Sequence, residues 1–219
     1  MPGRTIAIGD IHGCSLALNA LLDAIAPAAE DTIVALGDYI DRGPDSRGVV
    51  DTLLRLAEHC RVVALCGNHE EMMLSVLDNT MSYSGWLRYG GVETLDSYGF
   101  AGDLDVIPAA HREFFDNLED SYETATHFFA HAAYDPGYPL EQQSPEVLRW
   151  HSLRESVPPP HPSGKIAVVG HTAQKDGEIL DLGHLICIDT YCYGGAWLTA
   201  LDVGNGVLWQ ADQRGVLRS

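Results

Sequence analysis

The strongest constraint on this 219-residue chain is a pattern that occurs three times in its first third. A short β-branched run closes on a glycine, a polar loop follows, and an amphipathic helix comes next. Thr5 to Ile8 ends at Gly9, after which Leu18, Leu21, Leu22 and Ile25 recur at the spacing of one helix face and Pro27 ends the helix. Thr32 to Leu36 ends at Gly37, and Val50, Leu53, Leu54 and Ala57 give the second face. Arg61 to Leu65 leads to Gly67, and Met72, Met73, Val76 and Leu77 give the third. Strand-length runs alternating with helical faces predict an α/β (α+β) fold in which helices pack on a largely parallel sheet.

Beyond this region the signals are shorter. Residues 80 to 108, rich in Gly, Tyr and Asp, read as loops and turns over a cleft. Pro108 to Leu118 reads as a helix opened by proline, and Ser144-Pro145-Glu146 as another helix start. Tyr122 to Ala132 holds one or two strands. Val157-Pro158-Pro159-Pro160-His161-Pro162 is a stiff connection, because successive prolines remove the backbone donors that regular structure needs. Ile166 to Val169, Leu185 to Ile188, Leu198 to Val203 and Val207 to Ala211 are strand candidates, the last two joined at Gly204-Asn205-Gly206 as a hairpin. Residues 1–219 are read as one catalytic domain. No apolar run approaches the roughly 18 residues of a membrane span, and Met1 to Thr5 leads into a strand rather than a signal peptide, so the expectation is a cytoplasmic protein.

Thirteen Lys and Arg against 31 Asp and Glu give a formal charge of −18. That balance argues against nucleic acid and against an anionic membrane, since Lys and Arg supply most of the affinity for either. Five cysteines without C-x-x-C spacing read as reduced, buried thiols. Cys14, beside the first loop, is placed in that class, as are Tyr39, Tyr191 and Tyr193 as packing residues.

The loops after the three glycines carry metal-ligand side chains: Gly9-Asp10-Ile11-His12-Gly13, Gly37-Asp38-Tyr39-Ile40-Asp41-Arg42-Gly43 and Gly67-Asn68-His69-Glu70. They fall at the carboxyl ends of strands, where α/β proteins form ligand sites. Phe129-Ala130-His131 and Val169-Gly170-His171 end two later strands in the same manner. A mixed nitrogen and oxygen donor set suits Mn, Fe or Zn better than Ca or Mg. Asp10, His12 and Asp38 would hold one ion, and Asp38, Asn68, His131 and His171 the other, with Asp38 as the bridge. Two such ions clamp a phosphoryl group and lower the pKa of a water between them. Arg42 offers a planar fork to phosphate oxygens, and His69, oriented by Asp41, stands ready to protonate a leaving oxygen.

Taken in order, these blocks resemble the signature segments of the calcineurin-like metallophosphoesterases, in particular the bacterial phosphoprotein phosphatase branch. His131 and Gly170-His171-Thr172 match the family's later metal-binding histidines, and Ile188-Asp189-Thr190 with Gly194-Gly195 its closing segment. The resemblance implies a central β-sandwich flanked by helices and a dinuclear centre of divalent metal, most often Mn²⁺, with Fe or Zn as alternatives. It also implies direct hydrolysis of a phosphorylated protein or small phosphoester. Two departures stand out. His131-Ala132-Ala133 replaces the usual glycine-bearing triplet, and the second phosphate-binding arginine has two candidates around Trp150, with Arg154 preferred over Arg149. The leading expectation is a serine/threonine protein phosphatase. The alternatives are a diadenosine tetraphosphatase-like nucleotidase of the same fold and, more remotely, a non-catalytic metal-binding module. Glu70 and the short chain favour the phosphatase branch. The acidic composition favours neutral or basic phosphopeptides.

Overall fold

The computed structural model describes residues 3–102 and 106–219. Strands β1 (Thr5–Ile8), β2 (Thr32–Ala35) and β3 (Arg61–Ala64) run parallel, and β9 (Leu198–Asp202) pairs antiparallel with β1. With β10 (Leu208–Ala211) they form one sheet of order β10-β9-β1-β2-β3. A second sheet, β4-β5-β6-β8-β7, contains β4 (Ser121–Glu123), β5 (His127–Ala130), β6 (Ile166–Val169), β7 (Leu180–Asp181) and β8 (Leu185–Cys187). Its three central strands, β5, β6 and β8, are parallel.

Side-chain alternation stacks the two sheets face to face. Ala7, Val34 and Val63 on one sheet and Phe129, Val168 and Ile188 near the other form a shared inner layer. Their strand neighbours Ile6, Ile8, Ile33 and Ala35 point outward into a layer with helices α1 (Ser15–Ile25), α2 (Ser46–Ala57) and α3 (Asn68–Leu77). Phe128, Ala167, Val169 and Leu185 point outward on the far side, under Leu148 of α7 (Pro145–Trp150). Because both faces of each central strand are buried, the strands read as short continuous apolar runs rather than as alternating ones. The molecule is thus a sandwich of two mixed sheets flanked by helices, as expected. No helix among the described residues is long and apolar enough to cross a membrane.

Residues 80 to 108 depart from the expected loops. The segment contains α4 (Tyr83–Trp86), a wide turn at Leu87–Gly91 kinked at Gly90, and α5 (Val92–Tyr98), and α6 (Ala109–Asp116) follows after Pro108. The buried positions Gly91, Thr94, Leu95 and Tyr98 do follow a helical period. Two of the four are a glycine and a threonine, so a search for apolar residues passes over them. Residues 103 to 105, part of the same stretch, lie outside the described residues.

Candidate functional site

Loops leaving β1, β2, β3, β5 and β6 meet at one end of the sandwich, so the first three bring their side chains from one sheet and the last two from the other. His12, Asp38, Asp41, Arg42 and His171 all have positive φ, between 44° and 70°. For non-glycine residues this left-handed region costs about 1–3 kcal/mol each, and it persists only where the surroundings over-determine it. Part of that determination comes from Glu70. Fully buried at the start of α3, its carboxylate accepts from the backbone amides of Asp38 and Tyr39 at 2.8 Å, Gly67 at 3.1 Å and Ile40 at 3.3 Å. Glu70 therefore shapes the loop that carries Asp38, a role that the sequence analysis did not assign.

The donor set converges on Asp38. His12 Nδ1 donates to the Ile40 carbonyl at 2.9 Å, and His131 Nδ1 to the Leu36 carbonyl at 2.8 Å. Burial pushes both imidazoles below their ordinary pKa, so the rings are neutral and Nε2 carries a lone pair. His12 Nε2 lies 3.3 Å from one Asp38 oxygen and His131 Nε2 lies 3.4 Å from the other. Asn68 Oδ1 sits 3.1 Å from His131 Nε2 and 3.1 Å from His171 Nδ1. Burial, with His131 next in weight, pushes His171 down to about 4. At His12 and His131, whose Nδ1 protons are taken by backbone carbonyls, Nε2 faces the oxygens of Asp38 and Asn68 lone pair to lone pair, the arrangement a cation resolves. The donor set fits divalent metal on this ground.

Two groups of side chains are spaced to hold an ion, His12 with Asp38 and His69, and Asp38 with His131 and His171, and Asp38 belongs to both. Asp10 stands beside them. Its carboxylate accepts from the His171 amide at 3.0–3.1 Å, and burial together with the neighbouring Asp189 raises its pKa. Asp189, also buried, is pushed up to about 6 by burial.

His69 is oriented from the far side. Its Nδ1 lies 2.6 Å from Asp41 Oδ2, and Asp41 also accepts from Trp86 Nε1 at 2.8 Å and Thr94 Oγ1 at 2.6 Å. Burial alone would lower the His69 pKa, but the Asp38 charge and the Asp41 hydrogen bond outweigh it and raise the value. His69 Nε2 is buried, has no hydrogen-bond partner among the described residues and lies 3.9 Å from Asp38 Oδ2. Trp86 and Thr94 come from the segment read as loops, which is why they were missed.

Arg42 Nη1 donates to His12 Nε2 at 3.2 Å and to the Tyr193 hydroxyl at 2.8 Å, with the guanidinium 4.7 Å from the centre of the Tyr193 ring. Tyr193 therefore holds Arg42 rather than merely packing. Tyr39 does pack as expected, its hydroxyl donating to the Leu65 carbonyl at 2.7 Å. Arg154 is exposed and donates to the Ala173 carbonyl at 2.5 Å, two residues from His171. Arg149 is held by Glu71 at 3.0 Å and by Asp120. The five cysteines are free and buried.

Comparison with known proteins agrees with this geometry. The model of the calcineurin-like phosphoesterase family matches residues 3–195. A Salmonella typhimurium protein named serine/threonine-protein phosphatase 1 is 40% identical over 85 residues, which is 38% of this chain and 37% of that protein. A symmetrical bis(5'-nucleosyl)-tetraphosphatase of Ralstonia nicotianae is 37% identical over 101 residues, 46% of this chain and 33% of that protein. These matches span about a third of the curated relatives' length. Among solved structures, one described provisionally as a diadenosine tetraphosphatase superposes with TM-score 0.71 at 25% identity, covering 96% of this chain and 94% of that one. A cold-active protein-tyrosine phosphatase of a Shewanella species gives TM-score 0.72 at 17% identity over 100% of this chain and 80% of that one, a likeness of fold.

Proposed function

The chain belongs to the calcineurin-like phosphoesterase family, and from that premise we propose that it is a metal-dependent phosphomonoesterase acting on phosphoserine and phosphothreonine in proteins. The observation that carries this reading is His69, with Nδ1 bound to Asp41 and a buried Nε2, without a hydrogen-bond partner among the described residues, that is grouped with His12 and Asp38. A serine or threonine alkoxide is a poor leaving group and needs a proton as its bond to phosphorus breaks.

Asp10, His12, Asp38, Asn68, His131 and His171 would hold two divalent ions, Mn²⁺ being our choice for a mixed nitrogen and oxygen set. When bound, such ions neutralise phosphoryl oxygens and lower the pKa of an attacking water. Arg42, fixed by Tyr193, faces the same oxygens. His69 Nε2 gives its proton to the departing alkoxide while Asp41 stabilises the imidazolium, and the proton lost by the attacking water restores it. For the second arginine, the lack of a carboxylate partner on Arg154 among the described residues supports it over Arg149, which two carboxylates already neutralise. The inner layer shared by both sheets supports treating 1–219 as one catalytic unit.

A second reading, hydrolysis of a dinucleoside polyphosphate, is supported by the 94% coverage of the provisionally described tetraphosphatase chain, so chain length does not separate the two. Purified protein with Mn²⁺, assayed on p-nitrophenyl phosphate, phosphoserine and phosphotyrosine peptides and diadenosine tetraphosphate, tests both. The phosphoserine peptide is expected to be hydrolysed with the highest kcat/KM among the biological substrates. A preference for the dinucleotide reverses the order of the readings, and no turnover at all removes both. The variant His69→Asn is expected to keep its metal and lose about 10²–10⁴-fold in kcat on phosphoserine, with a smaller loss on the good leaving group of p-nitrophenyl phosphate. Equal losses on the two substrates would rule out an acid role.

A further inference from the structure

Beside Arg42 lies an open groove of about 610 Å³. Its wall is built by Leu87 to Gly90 of the kinked turn and by the start of α5, and Tyr193 also lines it. In a chain with 13 basic residues against 31 acidic ones, this groove reverses the ratio: Arg42 and Arg88 line it against a single carboxylate, Glu93. Among the described residues neither guanidinium has a carboxylate within ion-pair distance, whereas most of the other basic side chains, such as Arg112, Arg149 and Arg218, are paired. Arg88 is exposed, and its neighbours Tyr89 and Val92 leave 52% and 46% of their surface open. An unpaired charge beside exposed apolar groups on the rim of a site is a surface that suits a partner carrying the opposite charge.

We infer that this groove binds the stretch of a phosphoprotein flanking the phosphorylated residue, and that it selects stretches with an acidic side chain. The inference rests on the phosphoprotein reading of the site and specifies its substrate class. Arg42 belongs to both places: its guanidinium meets the phosphoryl group, and its flank forms the near end of the groove. A phosphoserine held there places the next few residues along Leu87–Gly91, with an aspartate or glutamate against Arg88 and an apolar neighbour against Tyr89. The expectation drawn from composition, a preference for neutral or basic phosphopeptides, is reversed locally. Net charge acts at long range and is screened within about 8 Å at physiological salt, whereas Arg88 would act at contact distance.

The test measures kcat/KM on two phosphoserine peptides, one with acidic and one with neutral flanking residues, in the Mn²⁺-loaded full chain. The acidic peptide should be favoured in the unaltered protein. The ratio should fall about 3-fold in Arg88→Gln and about 10-fold in Arg88→Glu, as expected for loss and reversal of one exposed ion pair at low salt. Glu93→Gln, which removes the opposing charge without touching Arg88, should raise it and stands in if the Arg88 variants fold poorly. Turnover of both peptides with a ratio that none of the three variants changes overturns the groove assignment and leaves the phosphoprotein reading intact. If instead only the turnover of diadenosine tetraphosphate falls in Arg88→Glu, the groove serves a nucleotide and the peptide assignment is wrong. If p-nitrophenyl phosphate is hydrolysed and neither peptide is, the phosphoprotein reading itself fails, and this inference with it.

Discussion

Single residues at this site are held by partners that sequence does not place beside them. Glu70 follows the His69 block as one more acidic residue at a helix start, where a carboxylate is favoured for its charge alone. In the folded chain it spans two loops and accepts four backbone amides, among them those of Asp38 and Tyr39. Replacing it with glutamine turns one acceptor into a donor that faces two amides. Glu70→Gln is therefore expected to lower stability by about 2–3 kcal/mol, as for a buried donor left unsatisfied. Because the Asp38 loop moves, metal affinity should fall as well. Denaturant melts with and without Mn²⁺ check this, and a variant that melts like the parent and keeps its metal would show that the four amides do not depend on the carboxylate. Asp41 and His69 were legible as a pair from residue type and motif. Their supports, Trp86 and Thr94, lie 45 and 53 residues from Asp41 in the chain, a separation at which no local pattern signals contact.

At the level of elements, each early strand and helix follows from its hydrophobic period, and the observed bounds of β1, α1, β2, α2, β3 and α3 lie close to the expected ones. The segment containing α4 and α5 does not, because packing rather than apolar content sets its helices. Its kink at Gly90, with φ of 108°, lets the chain come against the Arg42 backbone, and a Cβ there would lie 2.4 Å from the Arg42 nitrogen. The Gly90 carbonyl accepts from that nitrogen at 3.2 Å. Gly90→Ala is expected to push Arg42 out of position, raising KM for p-nitrophenyl phosphate several-fold and lowering stability by about 1–3 kcal/mol. Gly99→Ala provides the comparison. It also has positive φ, but a Cβ there meets nothing within 4 Å among the described residues, so stability should drop and KM should hold. An unchanged KM in Gly90→Ala would separate this turn from the placement of Arg42.

At the scale of the whole molecule, the donor cluster lies where the two sheets meet. Asp38 and Asn68 follow strands of one sheet, Asn68 as the first residue of α3, and His131 and His171 follow strands of the other. Metal bound there would tie the sheets together and also relieve the facing lone pairs. Adding Mn²⁺ at 100 times its dissociation constant is expected to stabilise the fold by about 2.7 kcal/mol, a rise of roughly 5–10 °C in Tm for a chain of this size. Chelation should reverse it, and a Tm indifferent to both would mean that the cluster holds no metal in the native state. The sequence by itself determined the helices and strands of the first third, the identity of the donor side chains and their position after strand ends. Those features are local, written in period, glycine and residue type within a few positions. Only the tertiary structure decided that the donors come from two sheets, that Glu70 shapes the Asp38 loop, that Trp86 and Thr94 hold Asp41 and Tyr193 holds Arg42, and that a chain of net charge −18 presents, beside its site, two arginines with no ion-pair partner among the described residues. Contacts between residues far apart in the chain depend on how the layers pack, and packing leaves no periodic mark in the sequence.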